Sequence, residues 1–415
     1  MPTLSHLFRH IKQHEPGHQI LYVVSFMSLF WAMFDGILMF VLPILITTMG
    51  FSETMMGIII GTSSVTGIFF DMLLCKFLKN TNFRRMYLFM FVLCAFYPLI
   101  LWQAKAVWLF LIAMAVWGMY YDFFNIGNFD FVGRHTKKEE HTSSFGVMRV
   151  FISLGYMLAP LLGGLLISDI VDHKPFLLSW VFLAIAFLFY ILLTVLQRKK
   201  KTIAVVQEIE PQPLRALNEL HLWKKIGGVI FPILLLTFTL NIIDAFFWTI
   251  GPLVSENLKA AHGFGGLFMV AYTLPPLLVG WTAGIFVRKV GKKRTSFYSL
   301  AVGSLLLSLF YFLKEHSVIL IFTNFIASFC IAIAWPAING VYADYISEAP
   351  HVEKEIETLE DSSTNLGYII GPMVAGFASE HLGHVETFSI LGVFGFIVAI
   401  VLMYKTPRHI HIAIK

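Results

Sequence analysis

Two aspartates lie inside long apolar stretches of the chain and share one context. Asp35 stands in FDGILMFVLP (34–43) and Asp244 in IDAFFWTIGP (243–252), and each acid precedes a proline by eight residues. A carboxylate at the centre of a bilayer is costly unless it is paired, hydrated or protonated. Such an acid can take up and release a proton, or it can bind a cationic substrate when ionised. An acid that does both makes proton and substrate compete, which is the linkage that exchange transport requires.

A purely structural role is the alternative for both acids. A protonated carboxyl group can hydrogen-bond to a neighbouring helix without taking part in transport. Asn241 lies one turn before Asp244 on the same helix face, so these two polar side chains are expected to act at one site.

The fourth apolar stretch is also polar inside. Asp122 and Asn125 fall on one helix face, and Arg149 lies about six residues into the fifth stretch. Arg149 could pair with Asp122 or with Asp130, and the sequence does not choose between them. A buried ion pair of this kind is either structural or a carrier of protons.

Aromatic residues cluster near these acids. They are Trp31, Phe34, Tyr120, Tyr121, Phe123, Phe246, Phe247, Trp248 and Trp335. Acids beside aromatic faces suit a lipophilic cation, through charge and cation–π attraction. Aromatic residues make up 15% of the chain, however, so most of these rings must face lipid or core. The residues predicted to bind substrate or protons are Asp35, Asp244, Asp122, Asn125, Asn241, Trp31, Trp248 and Asn339.

The composition places these residues in a membrane. The 415-residue chain is 57% hydrophobic and 13% charged, whereas soluble domains are about 25% charged. A spanning helix needs about 20 apolar residues, and twelve such stretches are present. They lie near 20–49, 55–79, 86–104, 107–133, 143–168, 175–197, 226–255, 264–287, 295–313, 317–346, 362–380 and 385–404. An all-α, multi-pass membrane protein is therefore predicted.

Basic residues predict the orientation. With the N-terminus in the cytoplasm, all but four of the 30 Lys and Arg residues fall on the cytoplasmic side. This bias follows the positive-inside rule and places both termini in the cytoplasm. Contact with anionic lipid explains the basic runs without nucleic acid, and a plasma or inner membrane is expected.

Other chemistries have no recognisable motif in the sequence. There is no phosphate-binding loop of an ATP motor, and neither the histidines nor the three cysteines have metal-ligand or disulfide-framework spacing. No cofactor, metal or enzymatic activity is therefore expected. Lys and Arg are almost absent from the apolar stretches, which argues against phosphate, nitrate or dicarboxylate substrates.

The chain repeats itself about a polar linker. Residues 198–225 separate a first half, 1–197, from a second half, 226–415. The aspartates recur at an offset of 209 residues, and GYMLAPLLGG (155–164) recurs as GYIIGPMVAG (367–376) at an offset of 212. In the same order, NIGNFDF (125–131) is answered by NGVYADY (339–345). Two six-helix halves with a site near the midplane form a transporter architecture.

These motifs resemble those of the major facilitator superfamily over essentially the whole chain. GIFVRKVGKKR (284–294) resembles the family's loop motif, with Arg288 at the acidic position. The first half keeps Gly67 and Asp71 of that motif but lacks its inner glycine. The resemblance implies cytoplasmic gate pairs and a loop motif formed by Asp71, Arg84, Arg85, Asp130, Arg288, Gly291, Arg294 and Asp344.

The fifth stretch resembles a motif of the family's drug and proton antiporters, G-x8-G-x3-G-P-x2-G-G. Its matching positions are Gly146, Gly155, Ala159, Pro160, Gly163 and Gly164, and the second half answers with Gly371 and Pro372. Glycines allow close helix packing and the proline bends the helix. These exporters often carry a basic residue in the fourth helix, where this chain has Asp122.

The sequence therefore favours a secondary transporter, most simply a monomeric, proton-coupled exporter of amphiphilic or cationic small molecules. Two alternatives remain. One is a transporter of the same fold that imports or exchanges a neutral metabolite such as a sugar. The other is a membrane sensor that keeps the fold without transport, in which neither Asp35 nor Asp244 would be needed.

Overall fold

A computed structural model describes residues 16–77, 82–136, 141–167, 171–198, 216–262 and 265–406. Its regular elements are helices throughout these ranges. The first half contains α1 (Pro16–Thr48), α2 (Glu53–Phe77), α3 (Phe83–Gln103), α4 (Val107–His135), α5 (His141–Leu166) and α6 (Lys174–Arg198). The second contains α7 (Ala216–His262), α8 (Leu267–Thr273), α9 (Pro275–Val290), α10 (Lys292–Ser308), α11 (Phe310–Leu313), α12 (Ser317–Glu348), α13 (Glu353–Leu382) and α14 (His384–Lys405).

These helices account for the twelve predicted spans. Among the described residues, nine helices are long and apolar enough to cross a membrane. The other three spans are the pair α8 and α9, the pair α10 and α11, and α13, which is rich in polar residues and glycine. Residues 199–215 of the predicted linker lie outside the described ranges, and residues 216–225 already belong to α7.

The eighth span is interrupted in its middle. α8 ends at Thr273 and α9 begins at Pro275, with Leu274 between them. Pro275 and Pro276 have no backbone N–H, so they cannot donate to the carbonyl groups of the preceding turn. A proline is tolerated at the first positions of a new helix, where α9 begins.

Contacts divide the chain into two compact units. The first comprises Met1–Phe51 and Thr62–Gln207, and the second comprises Ser52–Gly61 and Glu208–Lys415. In the first unit α1 packs on α5 and α6, and α3 packs on α4. In the second unit α7 packs on α13, and α10 packs on α12 and α14.

Small residues bring α5 onto the backbone of α1. A Cβ atom on Gly155 would lie 2.6 Å from the Leu29 carbonyl oxygen, and one on Gly163 would lie 2.9 Å from the Phe40 ring. The corresponding contact in the second unit joins α13 to α7. There a Cβ atom on Gly367 would lie 2.7 Å from the Asn241 Cβ atom. The glycine motif thus fixes the register of each of these helix pairs.

The first turns of α2 belong to the second unit. A Cβ atom on Gly57 would lie 2.1 Å from the Pro372 carbonyl oxygen, so the two backbones are in direct contact. The Thr54 amide donates to the Glu380 carboxylate at 2.9 Å, and His384 Nε2 lies 2.8 Å from Glu53 Oε1. The start of α2 is therefore bound to α13 and α14 by backbone packing and by charged groups.

Candidate functional site: two membrane-embedded carboxylates

Asp35 on α1 is enclosed by three hydrogen-bond donors from two other helices. Its side chain is 1% exposed. On α4, Trp117 Nε1 donates to Oδ1 at 3.0 Å and the Tyr120 hydroxyl donates to the same oxygen at 2.5 Å. On α5, the Tyr156 hydroxyl donates to Oδ2 at 2.7 Å. All three donors are neutral, so the site accommodates an ionised or a protonated carboxyl group without a fixed counter-charge.

Asp244 on α7 is bound by two tyrosines. One corresponds to Tyr156 of the first unit, and the other comes from a helix that does not correspond to α4. The Tyr368 hydroxyl of α13 donates to Oδ2 at 2.5 Å, and the Tyr272 hydroxyl of α8 donates to Oδ1. The Tyr272 ring is stacked on Phe247 with 3.8 Å between ring centroids. Asp244 is partly exposed, in contrast to Asp35. The second carboxylate is therefore the more accessible of the two.

The repeated tyrosines are placed by the repeated glycines. Tyr156 directly follows Gly155, and Tyr368 directly follows Gly367. Because each glycine seats its helix against the backbone of the helix that carries the acid, the neighbouring hydroxyl reaches the carboxylate. A tyrosine on α5 thus binds an aspartate on α1 in the first unit, and a tyrosine on α13 binds an aspartate on α7 in the second.

The additional donors come from different helices in the two units. Tyr120 and Trp117 lie on α4, whereas Tyr272 lies on α8, one residue before the C-terminal residue of that short helix. The break at Leu274 therefore lies two residues after Tyr272, which binds the second acid. Interrupted helices are a recurring feature of transporter binding sites.

The predicted aromatic residues occupy different surroundings. Trp31 is fully buried and stacked on Phe124 with 3.6 Å between ring centroids. It therefore supports the Asp35 site from within the protein core. Trp248 is partly exposed and lies one helical turn after Asp244, on the same face of α7.

The remaining predicted polar residues are spread over both units. Asp122 is partly buried and faces α2, where a Cβ atom on Gly67 would lie 3.4 Å from its Oδ2 atom. Asn241 is buried, and its Nδ2 atom donates to the Thr237 carbonyl group at 2.8 Å. Asn125 is partly exposed and Asn339 is exposed.

Asp130 binds groups near the start of α3 and the end of α4. Its Oδ1 atom lies 2.6 Å from Arg134 Nε, and its Oδ2 atom accepts from the Phe83 amide at 2.7 Å. Arg149, the partner considered for this acid, is exposed on α5. The acid thereby stabilises the first turn of α3, where free amide groups favour a negative charge.

Asp344 has an equivalent place in the second unit, with a different partner. Lys292 Nζ lies 2.5 Å from Asp344 Oδ1 and donates to the Gly340 carbonyl group at 3.1 Å. Lys292 therefore joins the start of α10 to the end of α12. Arg288 Nε donates to the Gly284 carbonyl group on its own helix at 3.1 Å, and Arg294 is exposed.

Other motif residues serve the helix ends. Gly291 separates α9 from α10 with a φ of +91°, a conformation that favours glycine. Arg84 and Arg85 lie in the first turn of α3, and the Arg84 carbonyl group accepts from Tyr190. Asp71 belongs to α2, but its side chain lies outside the described part of the chain.

The proline and glycine pairs of the motif lie inside their helices. Pro160 and Pro372 are buried within α5 and α13. Gly163 and Gly164 are buried near the end of α5. A Cβ atom on Gly371 would lie 2.6 Å from the Ala245 Cβ atom. These residues therefore shape the helix contacts that hold the two acid sites.

None of the five donors to the acids was predicted as a site residue from the sequence, and Tyr120 was named only among the aromatic residues near the acids. Tyr156 and Tyr368 stand inside the repeated GYMLAP and GYIIGP segments, so the repeat itself was a usable signal. Trp117 and Tyr272 have no comparable signal, because neither lies in one of the repeated segments identified in the sequence. Their roles follow only from the packing of α4 and α8.

The fold and its two equivalent acid sites define a multi-pass membrane protein of the transporter class. The family model described as Major Facilitator Superfamily matches residues 24–249 and 233–413. The chain therefore belongs to the major facilitator superfamily. Its predicted all-α fold and its predicted family are both confirmed.

The chain also resembles a named relative in sequence. The chain is similar to a quinolone resistance protein, NorA, of Staphylococcus aureus, with 25% identity over 279 residues. That match covers 65% of this chain and 66% of the relative, slightly less than two thirds of its length.

Three solved structures share the fold. A nucleoside transporter, NupG, has a TM-score of 0.70 and 15% identity, covering 94% of this chain and all of the other. A peptide-bound transporter of the POT family has a TM-score of 0.71 and 14% identity, with 94% and 96% covered. A bacterial homologue of the human lysosomal transporter Spinster, in an inward-facing and occupied conformation, has a TM-score of 0.69 and 12% identity, with 94% and 97% covered.

Proposed function

We propose that this chain is a secondary transporter that exports small amphiphilic or cationic compounds in exchange for protons. The observation that carries the proposal is that Asp35 is a buried carboxylate bound by three neutral donors. An ionised carboxylate is stabilised by these donors, and a protonated one carries no charge into the membrane. Both states are therefore tolerated, as a proton carrier requires.

Asp244 suits the substrate side of the exchange. It is partly exposed, and the partly exposed Trp248 lies one turn away on the same helix face. A bound cation would have a carboxylate and an indole face within reach. Protonation of Asp244 would remove the attraction, so the proton and the cation would compete for this acid.

Export is supported by two further observations. The glycine motif of α5 has the spacing typical of antiporters, and the chain is similar to a quinolone resistance protein. The distribution of Lys and Arg favours a topology in which both termini lie in the cytoplasm, and we expect a plasma or inner-type membrane. A monomer is the simplest form, because the chain carries both halves of the repeat.

The test is proton movement in proteoliposomes that enclose a pH-sensitive dye. Lipophilic cations and neutral compounds would be added to the wild type, to Asp35→Asn and to Asp244→Asn, with Asp172→Asn as a matched loop control. Substrate-dependent proton flux that disappears in Asp35→Asn or in Asp244→Asn, but not in the control, would support the proposal. Transport that survives both substitutions would refute it, and neutral substrates without proton flux would favour a facilitator.

A further inference from the structure

Tyr156 differs from the other donors to Asp35 in the oxygen atom that it binds. Trp117 and Tyr120 both donate to Oδ1, at 3.0 Å and 2.5 Å, whereas Tyr156 donates to Oδ2 at 2.7 Å. A carboxylate oxygen has two lone pairs. The two donors from α4 occupy both lone pairs of Oδ1, so an incoming proton has to bind Oδ2.

The chemistry of the donors leads to the same oxygen. An indole N–H can only donate, so Trp117 requires an acceptor at Oδ1 in every protonation state. A phenol can donate or accept, so the Tyr156 hydroxyl can reverse when Oδ2 becomes protonated and then accept from the acid. The bond to the ionised carboxylate is the stronger of these two arrangements. Tyr156 therefore favours the ionised state.

Within the described part of the chain, Tyr156 is the only group that hydrogen-bonds to Asp35 Oδ2. From α3, Cys94 and Tyr97 are fully buried and lie close enough to interact electrostatically with the acid. From α4, Trp117 and Tyr120 both contact Oδ1. On α5, Arg149 lies seven residues, or about two turns, before Tyr156 and is exposed. Arg149 and Tyr121 of α4 both interact electrostatically with Tyr156.

We propose that Tyr156 is a positioning residue that sets the proton affinity of Asp35 by occupying Oδ2, and that Tyr368 has the same role for Asp244. This inference rests on the proposed function, because it assumes that these acids exchange protons during transport. The equivalent contact of Tyr368 with Asp244 Oδ2 at 2.5 Å supports it. The donors to Oδ1 come from α4 in one unit and from α8 in the other, so only the contact with Oδ2 is made by equivalent helices in both units.

Infrared difference spectroscopy of the reconstituted full-length protein tests the assignment. The carbonyl band of protonated Asp35 would be identified by its loss in Asp35→Asn and titrated in the wild type, in Tyr156→Phe and in Tyr22→Phe. Tyr22 packs against Phe151 of α5 and lies more than three helical turns before Asp35, so it is the matched control. We expect Asp35 to bind its proton about tenfold more tightly in Tyr156→Phe than in the wild type. The reason is that the ionised carboxylate loses one of the hydrogen bonds that stabilise it.

The band frequency identifies the protonated oxygen independently of affinity. With the proton on Oδ2, the carbonyl group is Oδ1, and its frequency reports the donors from α4. Trp117→Phe should therefore raise this frequency, whereas Tyr156→Phe should leave it nearly unchanged. The opposite pattern, an unchanged proton affinity in Tyr156→Phe, or no titrating band at Asp35 would overturn the inference.

The transport assay separates this inference from the proposed function. If Asp35→Asn and Asp244→Asn both retain transport, the proposed function fails and the inference loses its basis. If either substitution abolishes proton-coupled transport but Tyr156→Phe titrates as the wild type does, the inference alone fails.

Discussion

The Cβ atom of Ala159 on α5 lies 2.7 Å from the position that a Cβ atom would take on Gly36 of α1. In the second unit the glycine and the alanine are exchanged between the two helices. A Cβ atom on Gly371 of α13 would lie 2.6 Å from the Cβ atom of Ala245 on α7. Each helix pair thus holds one methyl group and one glycine at the equivalent contact. This contact lies next to the acid in both units, because Gly36 follows Asp35 and Ala245 follows Asp244.

The swapped contact predicts a rescue by a second substitution. Gly36→Ala should destabilise the protein by about 1–3 kcal/mol, because a second methyl group does not fit between the backbones. Adding Ala159→Gly should restore most of the loss, since the pair then has the arrangement of the second unit. Thermal unfolding in detergent measures both effects.

The control for this pair of substitutions is Gly146→Ala on α5, the helix that carries Ala159. An added Cβ atom there has open space and should cause little change in stability. Equal stability of Gly36→Ala and the wild type would show that the α1–α5 contact is looser than the structure indicates.

Lys292 should contribute to the rate of transport more than to substrate binding. It joins α10 to α12 through Asp344 and the Gly340 carbonyl group. An exposed ion pair is worth about 0–1 kcal/mol, so Lys292→Met should slow transport by at most about fivefold. Initial rates at varied substrate concentration measure the effect, with the exposed Lys289→Met as the control. A large increase in KM would instead place Lys292 at the substrate site.

The pH dependence of stability should reflect Glu360, which lies just before the apolar part of α13. Burial, with the neighbouring Glu357 and Asp361 carboxylates, raises the pKa of Glu360 from 4.5 to about 7. The folded state therefore binds the proton more tightly than the unfolded state does. Stability from this group is fully present below pH 4.5 and is lost as the pH rises to about 7.

Unfolding midpoints in detergent at a series of pH values measure this contribution. Glu360→Gln should flatten the fall in stability between pH 5 and pH 7, because the group that binds a proton more tightly in the folded state is then absent. The lost contribution corresponds to a difference of about one pKa unit or more between the folded and unfolded states. Glu353→Gln, an exposed acid on the same helix, should retain the wild-type profile. A steep fall that persists in Glu360→Gln would assign the pH dependence to another group.

Glu380 should stabilise the start of α2. Its carboxylate accepts from the Thr54 amide at 2.9 Å and so acts as a cap supplied by another helix. Loss of a cap costs about 1 kcal/mol, so Glu380→Ala should increase hydrogen exchange of the first-turn amides about fivefold. Hydrogen–deuterium exchange of residues 52–61 measures this, and Glu315→Ala in an exposed connection is the control. Unchanged exchange would mean that backbone packing at Gly57 alone holds the segment.

Much of the architecture was predictable because apolar length and repetition are properties of the sequence itself. The twelve spans, the two halves and the two equivalent aspartates could all be predicted in this way. The break at Leu274 has a visible cause in the adjacent proline pair, yet the stretch around it is apolar enough to suggest one continuous span.

The details of the sites depend on packing that periodicity does not encode. The sequence does not determine that Tyr156 turns toward Asp35, because this depends on how closely Gly155 approaches α1. Likewise, Asp344 pairs with Lys292, although the family motif drew attention to the neighbouring arginines. Trp31 lies one helical turn before Asp35 in the sequence, but its complete burial is a tertiary property.

The most direct test of the central claim is proton release when substrate binds to the purified protein in weakly buffered detergent. The account predicts that a transported cation releases protons from the wild type, and that Asp244→Asn loses both the release and most of the binding. Asp35→Asn should release fewer protons per bound cation than the wild type. Tight binding without proton release in the wild type, or full release in both variants, would contradict the claim that these carboxylates exchange protons for substrate.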